Sequence, residues 1–319
     1  DVLHDRIFGA DGAFSAIRGK MTRTNRFDFS QQYLPHGYKE IFMSANPQGG
    51  FRISEDGLHI WPRGNFMLMA LPNPGGTFTC TLFAPYEGEE SFENIKSNGD
   101  VMAFFKRHFP DAIQHLPNLI DDWNSNPVSS LCTVKCHPWN IKSRVVIIGD
   151  AAHAMVPFFG QGMNSGFEDC TILCSLIDES KPQSEAEWQS LLDKYTQVRK
   201  PAGDAILDLA LHNYIVMRDK TGDPDYLIQK RIEARIAAAH PDRWKPLYTL
   251  VTFSHIHYAD AWSRGEIQQA VMNKIMASPD ISQNWENDEI VAQAIEQLDL
   301  FESGKDTIDR PVPLLSTDV

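Results

Sequence analysis

One strand and the turn that follows it constrain this chain more than any other feature. Residues 144–150 read RVVIIGD, an unbroken apolar run that predicts a strand covered on both faces, as in a parallel sheet. Gly160 and Gly162 then lead into a long helical pattern. Because ligands of α/β sheets bind beyond the carboxyl ends of strands, this turn is a candidate site. Free N–H groups at the helix start would suit a diphosphate, and Asp150 would accept a bond from a sugar hydroxyl. A strand–loop–helix turn without a ligand is the alternative.

The composition is that of a folded globular protein. The 319 residues are 42% hydrophobic and include 18 Phe and 7 Trp, which is ample material for a core. The chain has 29 Lys+Arg and 42 Asp+Glu, which gives a net charge of −13. The sequence contains no run of basic residues. Such a chain repels nucleic acid and anionic lipid, and no stretch has the apolar length of a membrane span. We therefore expect neither nucleic acid nor membrane as a partner.

The cysteines allow a metal site as one interpretation. They lie at positions 80, 132, 136, 170 and 174, and four of them form two C-x3-C pairs. Cys170 and Cys174, however, fall on one face of a helical pattern together with Met163 and Phe167. We therefore predict that both thiols pack in the core and that no metal is bound. An odd number of cysteines without a disulfide framework is typical of a cytoplasmic protein.

Hydrophobic periodicity divides the chain into a β-rich first part and a helical second part. Residues 2–8 predict a strand, which a short helix through Arg18 follows. Within a β-rich stretch over residues 33–84, strands are predicted at 58–62, 66–71 and 78–83. Helices are predicted within 98–120 and from 161 onward, including 225–238, 246–253, 259–277 and 286–301. Pro201 is predicted to end or kink one of them.

Two motifs identify a family resemblance. GDAAH at 149–153, followed by Pro157 and by GQGMN at 160–164, resembles the second flavin motif of aromatic-ring flavoprotein monooxygenases. DGAFSAIR at 11–18 resembles their D-G-x-x-S-x-x-R motif. Flanking segments are similar to the kynurenine 3-monooxygenases of that family up to about residue 275; they lie at 33–38, 59–63, 69–73, 158–164 and 246–254.

The resemblance implies a fold of the α+β or α/β class. We expect an incomplete flavin-binding Rossmann-type layer, an antiparallel β-sheet substrate domain and a C-terminal helical region. The expected segments are 1–28 and 138–200 for the flavin-binding layer, 29–137 for the substrate domain, 201–303 for the helices and 304–319 for a disordered tail.

The resemblance also implies which residues bind FAD. Asp150 would bond the ribityl chain, and Met163 with Asn164 would lie against the flavin and its diphosphate. Ala16 would contact the flavin, and Asp11 would hold its loop or meet the nicotinamide. The full set of expected cofactor residues is Asp11, Ala16, Asp150, Gly160, Gln161, Gly162, Met163 and Asn164. For His153 we favour a structural role over acid–base catalysis, because the flavin carries the chemistry and no catalytic side chain is assigned.

A second set would bind the substrate. Asn213 and Tyr248 match positions that hold the amino-acid end of L-kynurenine, whereas spacing alone gives them packing roles. The loop over Pro157, Phe158 and Phe159 would lie beside the flavin ring. An apolar wall, which would otherwise be read as sheet core, is expected from Leu58, Met67, Met69, Leu71 and Phe83, with Met217 nearby.

The implied reaction is hydroxylation of L-kynurenine to 3-hydroxykynurenine by FAD, NADPH and O₂ through a flavin C4a-hydroperoxide. The family's first G-x-G-x-x-G motif and its carboxylate-clamping Arg and Tyr have no counterpart here, so we expect a truncated enzyme. Its partner would be the missing N-terminal segment, and alone it would bind flavin poorly and turn nothing over. A related aromatic-ring hydroxylase and a non-catalytic interaction module remain alternatives.

Overall fold

In the computed structural model, which describes residues 4–304, the strands form two separate sheets. The strands are β1 (Ile7–Gly9), β2 (Asp28–Met43), β3 (His59–Pro62), β4 (Met67–Asn73), β5 (Thr77–Pro85), β6 (Ser129–His137), β7 (Asn140–Ile141) and β8 (Val145–Ile147). The three strands predicted at 58–62, 66–71 and 78–83 are confirmed as β3, β4 and β5. Of the tail expected at 304–319, all but Gly304 lies outside the described residues.

Helices dominate from residue 162 onward, as predicted. The helices are α1 (Ala16–Met21), α2 (Asn98–His108), α3 (Leu119–Ser125), α4 (Asp150–His153), α5 (Gly162–Ser180), α6 (Glu185–Ile215), α7 (Pro224–Ala239), α8 (Leu247–Thr252), α9 (Tyr258–Met276), α10 (Ile281–Asn284) and α11 (Asp288–Glu302). Pro201 lies inside α6 and does not end it. A five-residue π-helical turn, Val216–Lys220, follows α6 directly.

The chain divides into two compact units. Within the described residues, the first unit contains 4–32, Cys132–Tyr214 and 224–304, and the second contains Tyr33–Leu131 and Ile215–Asp223. Within residues 4–304 no helix combines the length and the apolar character that crossing a membrane requires.

The first unit is built on a three-stranded sheet with the order β1-β8-β7. β1 runs parallel to β8, with Phe8 opposite Val146, which confirms the predicted parallel strand. Among the described residues β1 extends over Ile7–Gly9, so residues 4–6 of the strand predicted at 2–8 are not part of it, and residues 2 and 3 lie outside the described residues. Side chains of this sheet, α5 and α6 form a core around Trp139 and Tyr195, both with no exposed surface.

Helix α5 packs on this core with a different face from the one that the sequence predicts. Leu173 and Leu176 are buried, whereas Met163 and Phe167 are 70% and 63% exposed. Cys170 and Cys174, predicted to be core residues, are exposed as well. The reason is that α5 carries apolar residues at helical spacing on two faces, and the leucine face packs on the sheet.

The helices after residue 224 have a core of their own in the first unit. Ile232 and Ile236 of α7, Val271 and Met272 of α9 and Ala294 of α11 are fully buried in it. These helices confirm the predicted segments at 225–238, 259–277 and 286–301.

The second unit contains a five-stranded sheet with the order β3-β4-β5-β2-β6, in which β3, β4, β5 and β2 pair antiparallel. The β4–β5 hairpin turns through Gly75 and Gly76, whose φ values of +88° and +86° favour glycine. One sheet face packs on α2 and α3. Helix α2 begins with a capping box between Ser97 and Asp100.

Candidate functional site

The turn after β8 carries the first candidate residue. Gly149 has φ +58° and ψ −143°, a backbone conformation that residues other than glycine rarely adopt. Asp150 follows as the first residue of α4, and its side chain is exposed at the carboxyl end of β8. The carboxylate therefore stands where α/β sheets bind their ligands.

The loop before α5 presents an open helix N-terminus. Pro157–Phe159 forms a single 3-10 turn, and Gly160 closes it with φ +66°. A Cβ built on Gly160 would meet no atom within 4 Å, so the space beside the backbone is open. Gln161 gives α5 no side-chain cap, and the first turn carries no acidic residue. The first N–H groups of a 19-residue helix are thus available to an anion.

Two of the predicted cofactor residues bond to each other. The Asn164 Nδ2 donates to Gln161 Oε1 at 3.1 Å, and the Tyr258 hydroxyl of α9 lies 3.4 Å from the same oxygen. These contacts orient the Gln161 amide, which is buried. Sequence reasoning missed Tyr258, because nothing in the helical pattern of α9 distinguishes it from a packed aromatic residue.

The DG motif closes a turn that is linked to the GD motif. The Asp11 carboxylate accepts from the Ser15 hydroxyl at 2.5 Å and from the Ile17 N–H at 3.1 Å. Burial opposes ionisation, but these hydrogen bonds together hold the pKa of Asp11 below its ordinary value. The buried Arg18 donates to the Ala151 carbonyl at 2.8 Å, which joins the start of α1 to α4. Both motifs therefore lie at the same end of the first unit's sheet.

Asn213 and Tyr248 both contact the loop before α5. The Asn213 Nδ2 donates to the Phe158 carbonyl at 2.6 Å. The Tyr248 ring stacks on Phe159 with 5.5 Å between centroids, and Tyr214 stacks on Phe158 at 4.3 Å. Tyr248 lies in the first turn of α8 after Pro246, as predicted, and is 54% exposed.

The apolar wall residues belong to the second unit. Pairing places Met67 opposite Phe83 and Ile60 opposite Met69, so these side chains share one sheet face, as the alternation predicts. The other face carries the core, with Leu68 and Leu82. Met67, Met69 and Phe83 are buried, as is Met217 in the π-helical turn, whereas Leu58 and Leu71 are 44% and 45% exposed.

A buried charged cluster lies under the turn after β8, and sequence reasoning missed its central residue. The Asp169 carboxylate, with no exposed surface, accepts from His153 Nε2 at 2.6 Å, from the Gly149 N–H at 2.8 Å and from Arg199 Nε at 2.8 Å. One signal was present, since Asp169 shares the helical face of Ser165 and Leu173, where an acidic residue is unusual.

Comparison with protein families shows which kind of domain carries the two motifs. The FAD binding domain family matches residues 7–210, about two thirds of the chain, including both motifs. The chain belongs to the FAD-binding domain family. The open N–H groups at the start of α5, the open space beside Gly160 and the exposed Asp150 carboxylate all fit the diphosphate and ribityl groups of FAD.

Three similar curated proteins share one name. This chain is 46% identical over 291 residues to the kynurenine 3-monooxygenase of Christiangramia forsetii, covering 91% of the chain and 64% of the relative. It is 46% identical over 298 residues to that of Flavobacterium psychrophilum, covering 93% and 66%. It is 43% identical over 282 residues to that of Dictyostelium discoideum, covering 86% and 61%. The chain thus spans less than two thirds of the length of these relatives.

Solved structures support the fold. A variant of Klebsiella pneumoniae HpxO, complexed with FAD, superposes with a TM-score of 0.53 at 18% identity, covering 68% of this chain and 54% of that one. The tetrameric form of 2-methyl-3-hydroxypyridine-5-carboxylic acid oxygenase gives 0.51 at 18% identity, covering 70% and 58%. At such identities the likeness shows the fold alone.

Within residues 4–304, no three His, Cys, Asp or Glu side chains come together as a metal site would require. Cys132 and Cys136 lie on β6, where the Cys136 thiol donates to the Ala152 carbonyl at 3.2 Å. Cys170 and Cys174 lie on the exposed face of α5.

Proposed function

We propose that this chain provides the flavin site and the substrate-facing sheet of an FAD-dependent aromatic hydroxylase that converts L-kynurenine to 3-hydroxykynurenine with NADPH and O₂. The observation that carries the proposal is the loop Pro157–Phe159, which precedes the open start of α5. Asn213 and Tyr248 both contact this loop. The names of the curated relatives support the choice of substrate.

The flavin residues act through hydrogen bonds and backbone shape. Asp150 is proposed to accept from a ribityl hydroxyl, while the N–H groups of Met163 and Asn164 hold the diphosphate through the positive end of α5. Gly160 and Gly162 let the cofactor approach the backbone, and Gln161, Asp11 and Ala16 complete the site. When bound, the flavin would take a hydride from NADPH and activate O₂ for transfer to the aromatic ring.

The substrate residues position the ring and exclude water. Tyr248 is proposed to donate its hydroxyl to the amino-acid end of L-kynurenine while its ring remains stacked on Phe159. Asn213 is proposed to bind the same end and to anchor the loop through the Phe158 carbonyl. The apolar wall residues and Met217 are proposed to bind the aromatic ring, and their apolar side chains would exclude water.

We further propose that β1 pairs with another segment of the same enzyme. Within residues 4–304 β1 is an edge strand of the three-stranded sheet. Ile7 and Phe8 are also 45% and 46% exposed, although strands of parallel sheets are normally covered on both faces. With this edge unpaired we expect FAD to bind more weakly than in the curated relatives and turnover to be absent. The five free cysteines favour a cytoplasmic location.

The test follows flavin and substrate in turn. The chain is saturated with FAD and titrated with L-kynurenine while the flavin absorbance is recorded; a saturable spectral change is expected. Tyr248→Phe, which keeps the stacked ring, should weaken the response, and Tyr226→Phe on α7 is the matched control. A response to phenols but not to L-kynurenine would favour a related hydroxylase, and no response to any aromatic compound would favour the interaction module. Formation of 3-hydroxykynurenine by the isolated chain would refute the need for a further segment.

A further inference from the structure

The cluster around Asp169 joins three elements beneath the proposed flavin site. His153 belongs to α4, Gly149 to the turn after β8 and Arg199 to α6, and all three donate to one carboxylate on α5. Asp169 and Arg199 are 0% and 2% exposed. Neither residue has a role in the function proposed above.

Arg199 extends the cluster to the first turns of α5. Its Nη1 pairs with Glu168 at 2.7 Å, and its Nη2 donates to the Ser165 carbonyl at 3.2 Å. The planar guanidinium therefore fixes the distance and rotation of α5 relative to α6. Movement of this ion pair would move the helix start that is proposed to hold the diphosphate.

Tight packing leaves the cluster little freedom. A Cβ on Gly203 of α6 would lie 2.9 Å from Trp139 and 3.1 Å from the His153 ring. The Trp139 and His153 rings lie 5.0 Å apart, and both side chains are buried. Gly149 and Gly166 approach so closely that a Cβ on either would contact the other's Cα within 4 Å. The His153 ring is thus closely packed, and the Gly149 backbone is in contact with α5.

Resting on the proposed function, we propose that Asp169 is a positioning residue for the flavin. By accepting the Gly149 N–H, it sets the backbone that aims the Asp150 carboxylate, and through Arg199 it sets the start of α5. A buried ion pair is poor evidence for stability, because desolvation offsets much of the attraction. A fixed geometry under a binding site is the use that such a cluster serves best.

The test compares Asp169→Asn with Asp193→Asn. Asp193 also accepts a side-chain hydrogen bond within the first unit, from Asn140 Nδ2 at 2.7 Å, but it does not touch the turn after β8. FAD affinity is measured by flavin fluorescence on folded protein, and hydrogen–deuterium exchange is followed for the peptide covering 148–154. We expect Asp169→Asn to weaken FAD binding at least about 10-fold and to speed exchange at Gly149, and the control to do neither.

A purely structural role would lower resistance to urea and leave the FAD affinity of the folded protein unchanged, and that result would overturn the proposal. If Asp169→Asn does not fold, Arg199→Lys tests the proposal with the same two measurements, because lysine keeps the positive charge but lacks the planar guanidinium that bonds several acceptors at once. If the wild-type chain binds no FAD, the proposed flavin site fails, and the exchange at Gly149 alone then supports or overturns the role of Asp169 in holding the turn.

Discussion

Gly149→Ala isolates the backbone requirement of the turn after β8. The residue has φ +58° and ψ −143°, outside the regions that alanine adopts readily. A Cβ there would lie 3.9 Å from the Gly166 Cα, which is an ordinary contact. The substitution therefore strains the backbone without creating a clash.

The expected magnitude follows from this geometry. A residue held in such a sparsely populated region costs about 1–3 kcal/mol, so the free energy of unfolding should fall by that amount. Gly19→Ala is the matched control, because Gly19 lies in α1 and a Cβ added there would meet no atom within 4 Å. Alanine is favoured over glycine in a helix by up to about 1 kcal/mol, so the control should stabilise the chain.

Urea denaturation followed by circular dichroism measures both variants. The two changes should have opposite signs and differ by roughly 1–4 kcal/mol, from the ranges for backbone strain and helix propensity. Equal free energies of unfolding for Gly149→Ala and Gly19→Ala would refute the argument that the turn requires a glycine.

Two further predictions concern buried and exposed side chains. Burial opposes the ionisation of Asp169, but its His153 and Arg199 partners hold its pKa below the ordinary 3.8. The ionised carboxylate therefore stabilises the fold above about pH 3.8, and this stabilisation is lost as the pH falls through the lowered pKa of the folded state. Urea titrations should show the wild-type free energy of unfolding converging on that of Asp169→Asn below about pH 4, and parallel curves would contradict this. Cys170 and Cys174 should react with Ellman's reagent in the native chain, whereas Cys80 and Cys136, whose pKa values burial raises to about 12, should react only in urea. If Cys170 and Cys174 did not react in the native chain, that result would contradict the exposure of this face of α5.

Much of the fold could be predicted from local pattern. The apolar run at residues 144–150 predicts a strand with a parallel neighbour because such a run has no polar face, and β8 pairs with β1 in this way. The alternation of Met67 and Met69 predicts a shared face, which the register confirms. These features depend on spacing within one element.

The orientation of α5 could not be predicted in the same way. Met163 and Phe167 form as regular an apolar stripe as Leu173 and Leu176, and which stripe is buried depends on the partners in the sheet and α6. Asp169 was missed for a related reason, since its partners come from distant segments. Asn213 and Tyr248 remain proposed substrate residues, and the family resemblance, not their spacing, identified them.

Titration of the purified chain with FAD, followed by quenching of flavin fluorescence, tests the central claim most directly. We predict saturable binding that Asp150→Ala weakens by about 10–100-fold, because a hydrogen bond to a charged acceptor is worth about 1.5–3 kcal/mol. No saturation, or identical titrations of the wild-type chain and the variant, would contradict the assignment of the turn after β8 and the start of α5 as the flavin site.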